Sequence, residues 1–445
     1  MKLRIALVTL IASLALAAQS PLGFKVGDLQ FTPGGFLDFT TVFRSTDVGS
    51  GVGTNFAAIP YNDTVAGRLT ELRESAQNSR LSLKVTAQHD TTEVLGYLET
   101  DFLGNQPSNA AVSSNSATMR LRVYFVDLRN GRWEVLAGQD WGFLTPNRTG
   151  LSPMPSNIFY TLDQDTNYQV GLTWTRQPQF RLIFHATSSL AAGISIEQGE
   201  PYIGGSAGAG QAVLPGGPGG VYGSQVDNGA SNFSAPGFTP DVIGKLAWDT
   251  RAGAHAVHLE LAGLYSEFRA LTPATNLTSH AAGGGLGASA NFALTPRLRL
   301  VASGLVGDGA GRYFFGTMPD MVIRQNGEVS PVRSHGGVAG LEYTLSPAYT
   351  FFGYYGRVTA APDYDLRGAA PVGYGFAGAP TSMNRELEEY TVGGVRTLWK
   401  SPQYGALQLI LQASYVARRP FAASVPAASG AHAGLGYADL RFTLP

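Results

Sequence analysis

The sequence predicts an all-β chain: a 16-stranded antiparallel transmembrane β-barrel with short periplasmic turns and long extracellular loops. Three observations carry that expectation. Many segments alternate apolar and polar side chains with period two, as a strand with unlike faces does. The links between them alternate short and long, as when turns gather at one end of a barrel and loops at the other. Glycine and aromatics are plentiful and charge is scarce: 56 Gly, 23 Phe and 19 Tyr in 445 residues, of which 14% are charged.

Residues 1–17 have the anatomy of a signal peptide. Lys2 and Arg4 form the positive end, Ile5 to Leu14 the apolar run, and Ala15-Leu16-Ala17 a small-x-small cleavage site. A short N-terminal segment, 18–34, precedes a single barrel domain, 35–445. Gly35 to Arg44 sets Leu37, Phe39 and Phe43 against Asp38, Thr40 and Arg44. Ser79 to Gln88 sets Leu81, Leu83, Val85 and Ala87 against Arg80, Ser82, Lys84 and Thr86. Val94 to Phe102 opposes Leu98 to Glu99 and Asp101, and Met119 to Phe125 opposes Leu121, Val123 and Phe125 to Arg120, Arg122 and Tyr124. Phe180 to Thr187 opposes Phe180, Leu182 and Phe184 to Arg181 and His185.

Short turns are expected near Asp90, Asn130-Gly131, Gln177-Pro178, Thr250-Arg251, Thr295-Pro296, Ser346-Pro347 and Ser401-Pro402, each with turn-forming residues. Long links are expected over 45–78, 103–118, 142–167, 189–240, 269–279, 308–334, 359–386 and 417–432. Seven turns and eight loops require sixteen strands. Phe39, Phe43, Phe102, Trp174 and Trp248 read as outward aromatics of interfacial girdles. The chain ends in the alternating stretch Gly436 to Phe442, similar to the assembly signal of outer-membrane barrels.

In lipid, the bilayer covers the apolar face of such strands, and closure satisfies every backbone donor and acceptor. Cationic residues on the lipid face cost roughly 2–4 kcal/mol at the midplane, so Arg80, Lys84, Arg120, Arg122 and Arg181 should point into the lumen. Pairing the second and third strands about their turn places Arg80 near Asp101, Ser82 near Glu99 and Lys84 near Tyr97. Either these cations attract anionic solutes, or Glu99 and Asp101 neutralise them into an ordinary polar wall. The loop 142–167 carries Asp163 and Asp165. It either folds inward opposite the cations, giving a transverse field across the lumen, or packs at a subunit contact.

Other chemistry is poorly supported. The absence of Cys excludes disulfides, thiol nucleophiles and cysteine-held metals. Thirty-one basic residues against 32 acidic exclude a protein built to coat nucleic acid. Gly204-Gly205-Ser206-Ala207-Gly208 lacks the strand–turn–helix of a nucleophile elbow. Gly373 to Gly378 lacks the βαβ unit of a dinucleotide site. The seven His and the carboxylates show no ligand spacing. No metal, cofactor or catalytic residue is expected, and the chain reads as a passive channel and not an enzyme. The alternatives are a lipase-like barrel enzyme and a plugged barrel acting as adhesin or receptor.

The segments Ser79-Arg80-Leu81, Gly96 to Phe102, Met119 to Tyr124, Ala137 to Phe143 and Gly311-Arg312-Tyr313 resemble Gram-negative trimeric outer-membrane porins. The likeness is nearest to the DcaP-like family and weaker to the phosphate-selective porins. It implies a homotrimer in outer-membrane lipid that passes small polar solutes, often organic anions. It also implies a constriction narrowed by the third long loop and lined by Arg80, Arg120 and Arg122. Family members typically carry a coiled-coil extension before the barrel; only Ala18 to Gly34 stands in that place, so a function of the extension is not expected.

Overall fold

The computed structural model describes residues 22–104, 117–151, 153–154, 158–205, 210–217, 220–226, 232–235, 237–421 and 430–445. The expected signal peptide, most of the expected loop 103–118 and parts of the Gly-rich stretch 204–223 lie outside them.

Sixteen antiparallel wall strands close into a barrel. In chain order they are β1 (Leu29–Arg44), β2 (Glu71–Ser75 continued by Arg80–His89), β3 (Thr92–Asp101) and β4 (Arg120–Asn130). Next come β5 (Trp133–Trp141), β6 (Arg176–His185), β7 (Leu190–Glu197) and β8 (Asp241–Ala252). Then follow β9 (His255–Thr272), β10 (Leu277–Ala293), β11 (Leu298–Asp308) and β12 (Arg333–Ser346). The last four are β13 (Tyr349–Ala360), β14 (Asn384–Ser401), β15 (Gly405–Pro420) and β16 (Ala431–Thr443). Each pairs with its neighbour, and β16 closes on β1 from Phe36↔Thr443 to Arg44↔Leu435. Among the described residues each wall strand is paired with a neighbour on both sides, the condition for a sheet in an apolar solvent.

Alternation sets the two faces. Along β1, Leu37, Phe39 and Phe43 are exposed while Asp38, Thr40 and Arg44 are buried. Leu81, Leu98, Leu121, Phe180, Leu182, Trp248, Leu261, Val392 and Leu440 continue the exposed apolar outer surface around the barrel. A soluble monomer rarely carries apolar patches of that extent. Among the described residues no helix is long and apolar enough to cross a membrane.

The register of β2 on β3 is Arg80↔Asp101, Ser82↔Glu99 and Lys84↔Tyr97, as the sequence pattern implies. Other boundaries differ. β1 begins at Leu29, not Gly35, and Gln30 to Phe36 pair with β2, so residues 29–34 belong to the wall. Gly35 stands just before β1 begins to pair with β16 on its other side: its φ is +122°, and a Cβ there would lie 2.1 Å from the Arg80 carbonyl oxygen.

Gln177-Pro178 is not a turn but part of β6; the turn lies at 186–189, and β7 occupies the start of the expected 189–240 loop. The expected 269–279 loop is only residues 273–276, because β9 and β10 run on to 18 and 17 residues. In β4 a bulge at Arg122 lets Glu99 pair with Val123 while Thr100 pairs with Leu121. One extra residue reverses the alternation beyond it. Val123 and Phe125 therefore face inward and Tyr124 outward, opposite to the sequence pattern.

Candidate functional site

The third long loop runs from 142 to 175, eight residues further than expected. Hydrogen bonds carry it across the lumen: Asn147 donates to Glu260 on β9 (3.1 Å), Arg148 to Glu342 on β12 (2.6 and 2.8 Å), Leu162 N to Gln412 on β15 (2.8 Å) and Val170 N to Glu389 on β14 (2.9 Å). Its apolar side chains Phe143, Leu144, Phe159, Leu162, Val170 and Leu172 are buried and join those of the first and sixth loops in one core. Trp174 belongs to that core and not to an outer girdle: it is buried, packs tilted against Trp141 with ring centroids 3.9 Å apart and donates its indole N–H to Asp165 (3.2 Å).

The loop lies on glycines of the wall. A Cβ at Gly356 would fall 1.7 Å from the Val170 carbonyl oxygen, and one at Gly171 (φ +87°) 2.1 Å from that of Gly337. Gly337 and Gly356 are thus part of a floor on which loop backbone rests on strand backbone.

Beneath the start of this loop, four guanidiniums meet three carboxylates. Arg120 grips Asp101 in a fork (3.0 and 2.6 Å). Arg122 donates to Glu99 (2.8 Å) and Asp101 (2.7 Å), and Arg80 stands 4.0 Å from Glu99. Asp165 hangs from the loop among them, 3.5 Å from Arg122, 3.8 Å from Arg176 and 3.9 Å from Arg120. Arg122 and Arg176 also face the Trp141 ring, at 5.6 and 4.9 Å.

Burial disfavours charge on Asp165. The guanidiniums of Arg122, Arg176, Arg120 and Arg80 outweigh it and hold the carboxyl well below the usual carboxylate range. Donors are left over: Arg80 Nε, Arg122 Nη2 and Arg176 Nη1 are buried with no hydrogen-bond partner among the described residues. Arg120, with about a third of its side chain exposed, is the member that meets solvent. Unpaired buried donors gain most from a charged acceptor.

The other sequence-derived residues lie elsewhere. Arg181 is buried against Asp140 (3.2 Å). Lys84 lines a cavity of about 720 Å3 near the short turns, with Arg129 facing Glu93, Asp127 and Glu134. Asp163 does not face the cations. It accepts from Gln412 (2.7 Å) and Ser414 (3.1 Å), beside Glu389 on β14, with Tyr168 and Tyr437 close by. In place of the expected transverse field between separated charges, Asp165 lies directly among the guanidiniums and Asp163 takes hydrogen bonds from Gln412 and Ser414. Arg176 was not legible in the sequence, because its parity matches outward Phe180 and Leu182; it joins the cluster as the register partner of Trp141.

Burial raises the Asp163 carboxyl to about 7, against the smaller opposing effect of hydrogen bonds from its neighbours. A raised acid stabilises the fold while it is protonated. That stability is present below the ordinary carboxylate range and is lost as pH climbs from about 4 through about 7. The attachment of the third loop should therefore weaken up to mildly alkaline pH. In Asp163→Asn this dependence should flatten, as read by the pH profile of thermal stability in detergent.

No protein-family model matches the chain, and no curated protein matches it. Among solved structures its fold is similar to the outer membrane channel DcaP of Acinetobacter baumannii, with TM-score 0.68 and 15% identity over 95% of this chain and 99% of that one. An anion-selective porin from Comamonas acidovorans aligns with TM-score 0.52 and 12% identity over 94% of this chain and 100% of that one. OprB of Pseudomonas putida gives TM-score 0.50 and 12% identity, over 93% and 94%. At these identities the likeness establishes a shared barrel fold.

Proposed function

We propose that the chain is a passive diffusion channel of a Gram-negative outer membrane for small hydrophilic solutes, favouring organic anions and assembled as a homotrimer. The supporting observation is a closed wall, apolar outside and polar inside, whose lumen gathers Arg80, Arg120, Arg122 and Arg176 around Glu99, Asp101 and Asp165. Four positive charges on three negative leave a net excess of one (4 − 3 = +1) within the narrowed lumen. Low-dielectric walls focus such an excess on passing ions. The solved channels of similar fold include one described as anion-selective. With loops packed into the lumen, single-channel conductance should be small.

The test is reconstitution of the mature protein in planar bilayers under a salt gradient. A reversal potential on the anion side is expected, and Arg120→Ala should move it toward zero while the channel still opens. A conducting channel without anion preference would refute the selectivity and leave the pore; absence of conductance would refute the pore. Cross-linking in detergent, with a ladder ending at three, checks the trimer.

A further inference from the structure

One imidazole stands between the two carboxylates that hold the first limb of the third loop to the wall. His258 on β9 is the register partner of Asp249 on β8 and of Asn291 on β10. Its Nδ1 is 2.9 Å from Asp249 Oδ1, and its Nε2 is 3.3 Å from Glu260 Oε1. The ring is 2% exposed, so solvent does little to serve either nitrogen. Both carboxylates also take the loop. Asp249 Oδ2 accepts from Gly150 N (2.9 Å), and Glu260 Oε1 accepts from Asn147 N and Nδ2 (3.1 Å each). Lys245 Nζ lies 2.9 Å from Glu260 Oε1 and donates to the Thr145 carbonyl oxygen (2.9 Å). Residues 145–150 thus hang from two acids, and the imidazole ties those acids together.

Charge decides whether the tie holds. An imidazolium donates from both nitrogens, whereas a neutral ring donates from one and presents a lone pair at the other. With Asp249 and Glu260 on its two sides, the neutral ring sets that lone pair against a carboxylate oxygen. Lys245 stays beside Glu260, but Asp249 has no other cationic partner among the described residues. Arg148, Arg251 and Arg299 line the cavity beside the ring and oppose its charge. Two of them are turned to other partners, Arg148 to Glu342 on β12 (2.6 Å) and Arg251 to the Ala254 carbonyl oxygen (2.8 Å). Ser289 and Asn291 on β10 bring no charge.

We propose that His258 is a positioning residue whose protonated ring clamps residues 145–150 of the third loop to β8 and β9, and whose neutral ring lets them go. The limb is held in acid and released in alkali. The clamp is separate from the seat of Asp163, which lies against Gln412 and Ser414 on β15. It deepens the channel reading, on which it rests, by making the position of the loop depend on one proton.

The experiment is nitroxide spin-labelling of the detergent-solubilised full chain at Thr149→Cys. The chain has no Cys of its own, and Thr149 is exposed beside Gly150. Asp163→Asn is present throughout, so that the other acid-dependent attachment of the loop does not contribute. The mobile fraction of the spectrum should rise several-fold between about pH 5 and pH 9. His258→Gln keeps a donor for one carboxylate but carries no charge, and its label should be mobile at every pH. His258→Lys keeps its charge over this range and should hold the label immobile throughout. Retention of heat-modifiable migration on gels verifies that each variant is folded. A label whose mobility ignores pH, or a pH response that survives in folded His258→Gln, overturns the clamp. Label mobility is read whether or not the protein conducts, so a failed clamp and a failed channel are told apart.

Discussion

Asp165→Asn is expected to raise the anion-over-cation permeability ratio of the reconstituted channel by about fivefold, the scale of one unit charge acting at close range through partly hydrated surroundings. Trp174 Nε1 donates to Oδ2 (3.2 Å) and Thr166 N to Oδ1 (3.0 Å), so Asn keeps the acceptor of one bond and loses the other. The larger change is in charge: the surrounding excess rises from one to two (4 − 2 = +2). In the native chain Asp165 occupies, at 3.5 to 3.9 Å, the place where an incoming carboxylate would meet Arg122, Arg176 and Arg120.

Acid does not mimic the variant. A carboxyl held well below its ordinary range contributes stability above that range and loses it only in stronger acid. The native ratio should therefore stay flat from about pH 4 to pH 8 as far as Asp165 is concerned. A folded Asp165→Asn channel with an unchanged ratio would remove this cluster from the account of selectivity. Arg122→Ala is the harsher change: it strips one partner each from half-buried Glu99 and from buried Asp101 and Asp165, a loss of about 3–5 kcal/mol, and tests stability more than selectivity.

Gly356→Val should produce the largest structural effect. A Cβ at this position would sit 1.7 Å from the Val170 carbonyl oxygen, a backbone atom that no rotamer can move aside. Either the wall yields or residues 169–172 lift from it, and the loop is the softer part. Lifting breaks the Val170 N–Glu389 bond and draws Leu172 and Trp174 out of the core. The expected result is a several-fold rise in single-channel conductance with a lower thermal midpoint and an altered aromatic circular dichroism signal. A folded variant with native conductance would mean that the loop does not restrict the lumen at this point.

Strand register was readable where a short turn and two clear alternations coincide. The turn at Asp90 fixes β2 on β3, and side-chain parity then places Arg80, Glu99 and Asp101 together. Parity misleads where its physical premise fails. Tyr168, Val170, Leu172 and Trp174 alternate with Gln169, Gly171, Thr173 and Thr175 as cleanly as a wall strand, yet all four are buried inside the barrel. Period two reports two unlike environments and does not say whether the apolar one is lipid or a packed loop. The bulge at Arg122 has no sequence mark either, because an unpaired residue leaves composition and spacing unchanged while reversing every later side chain.

The sequence by itself determined a wall of sixteen strands and the outward row of aliphatic and aromatic side chains. Those are local properties, set by alternation and by the cost of placing charge against an apolar exterior. Which carboxylate each arginine meets was decided only by the tertiary structure. Asp165 reaches Arg122 across 43 residues of chain (165 − 122 = 43), and Asp163, two positions earlier, settles against Gln412 and Ser414 on β15. The path of one loop over a floor of glycines separates those two fates, and a path through space leaves no period in the chain.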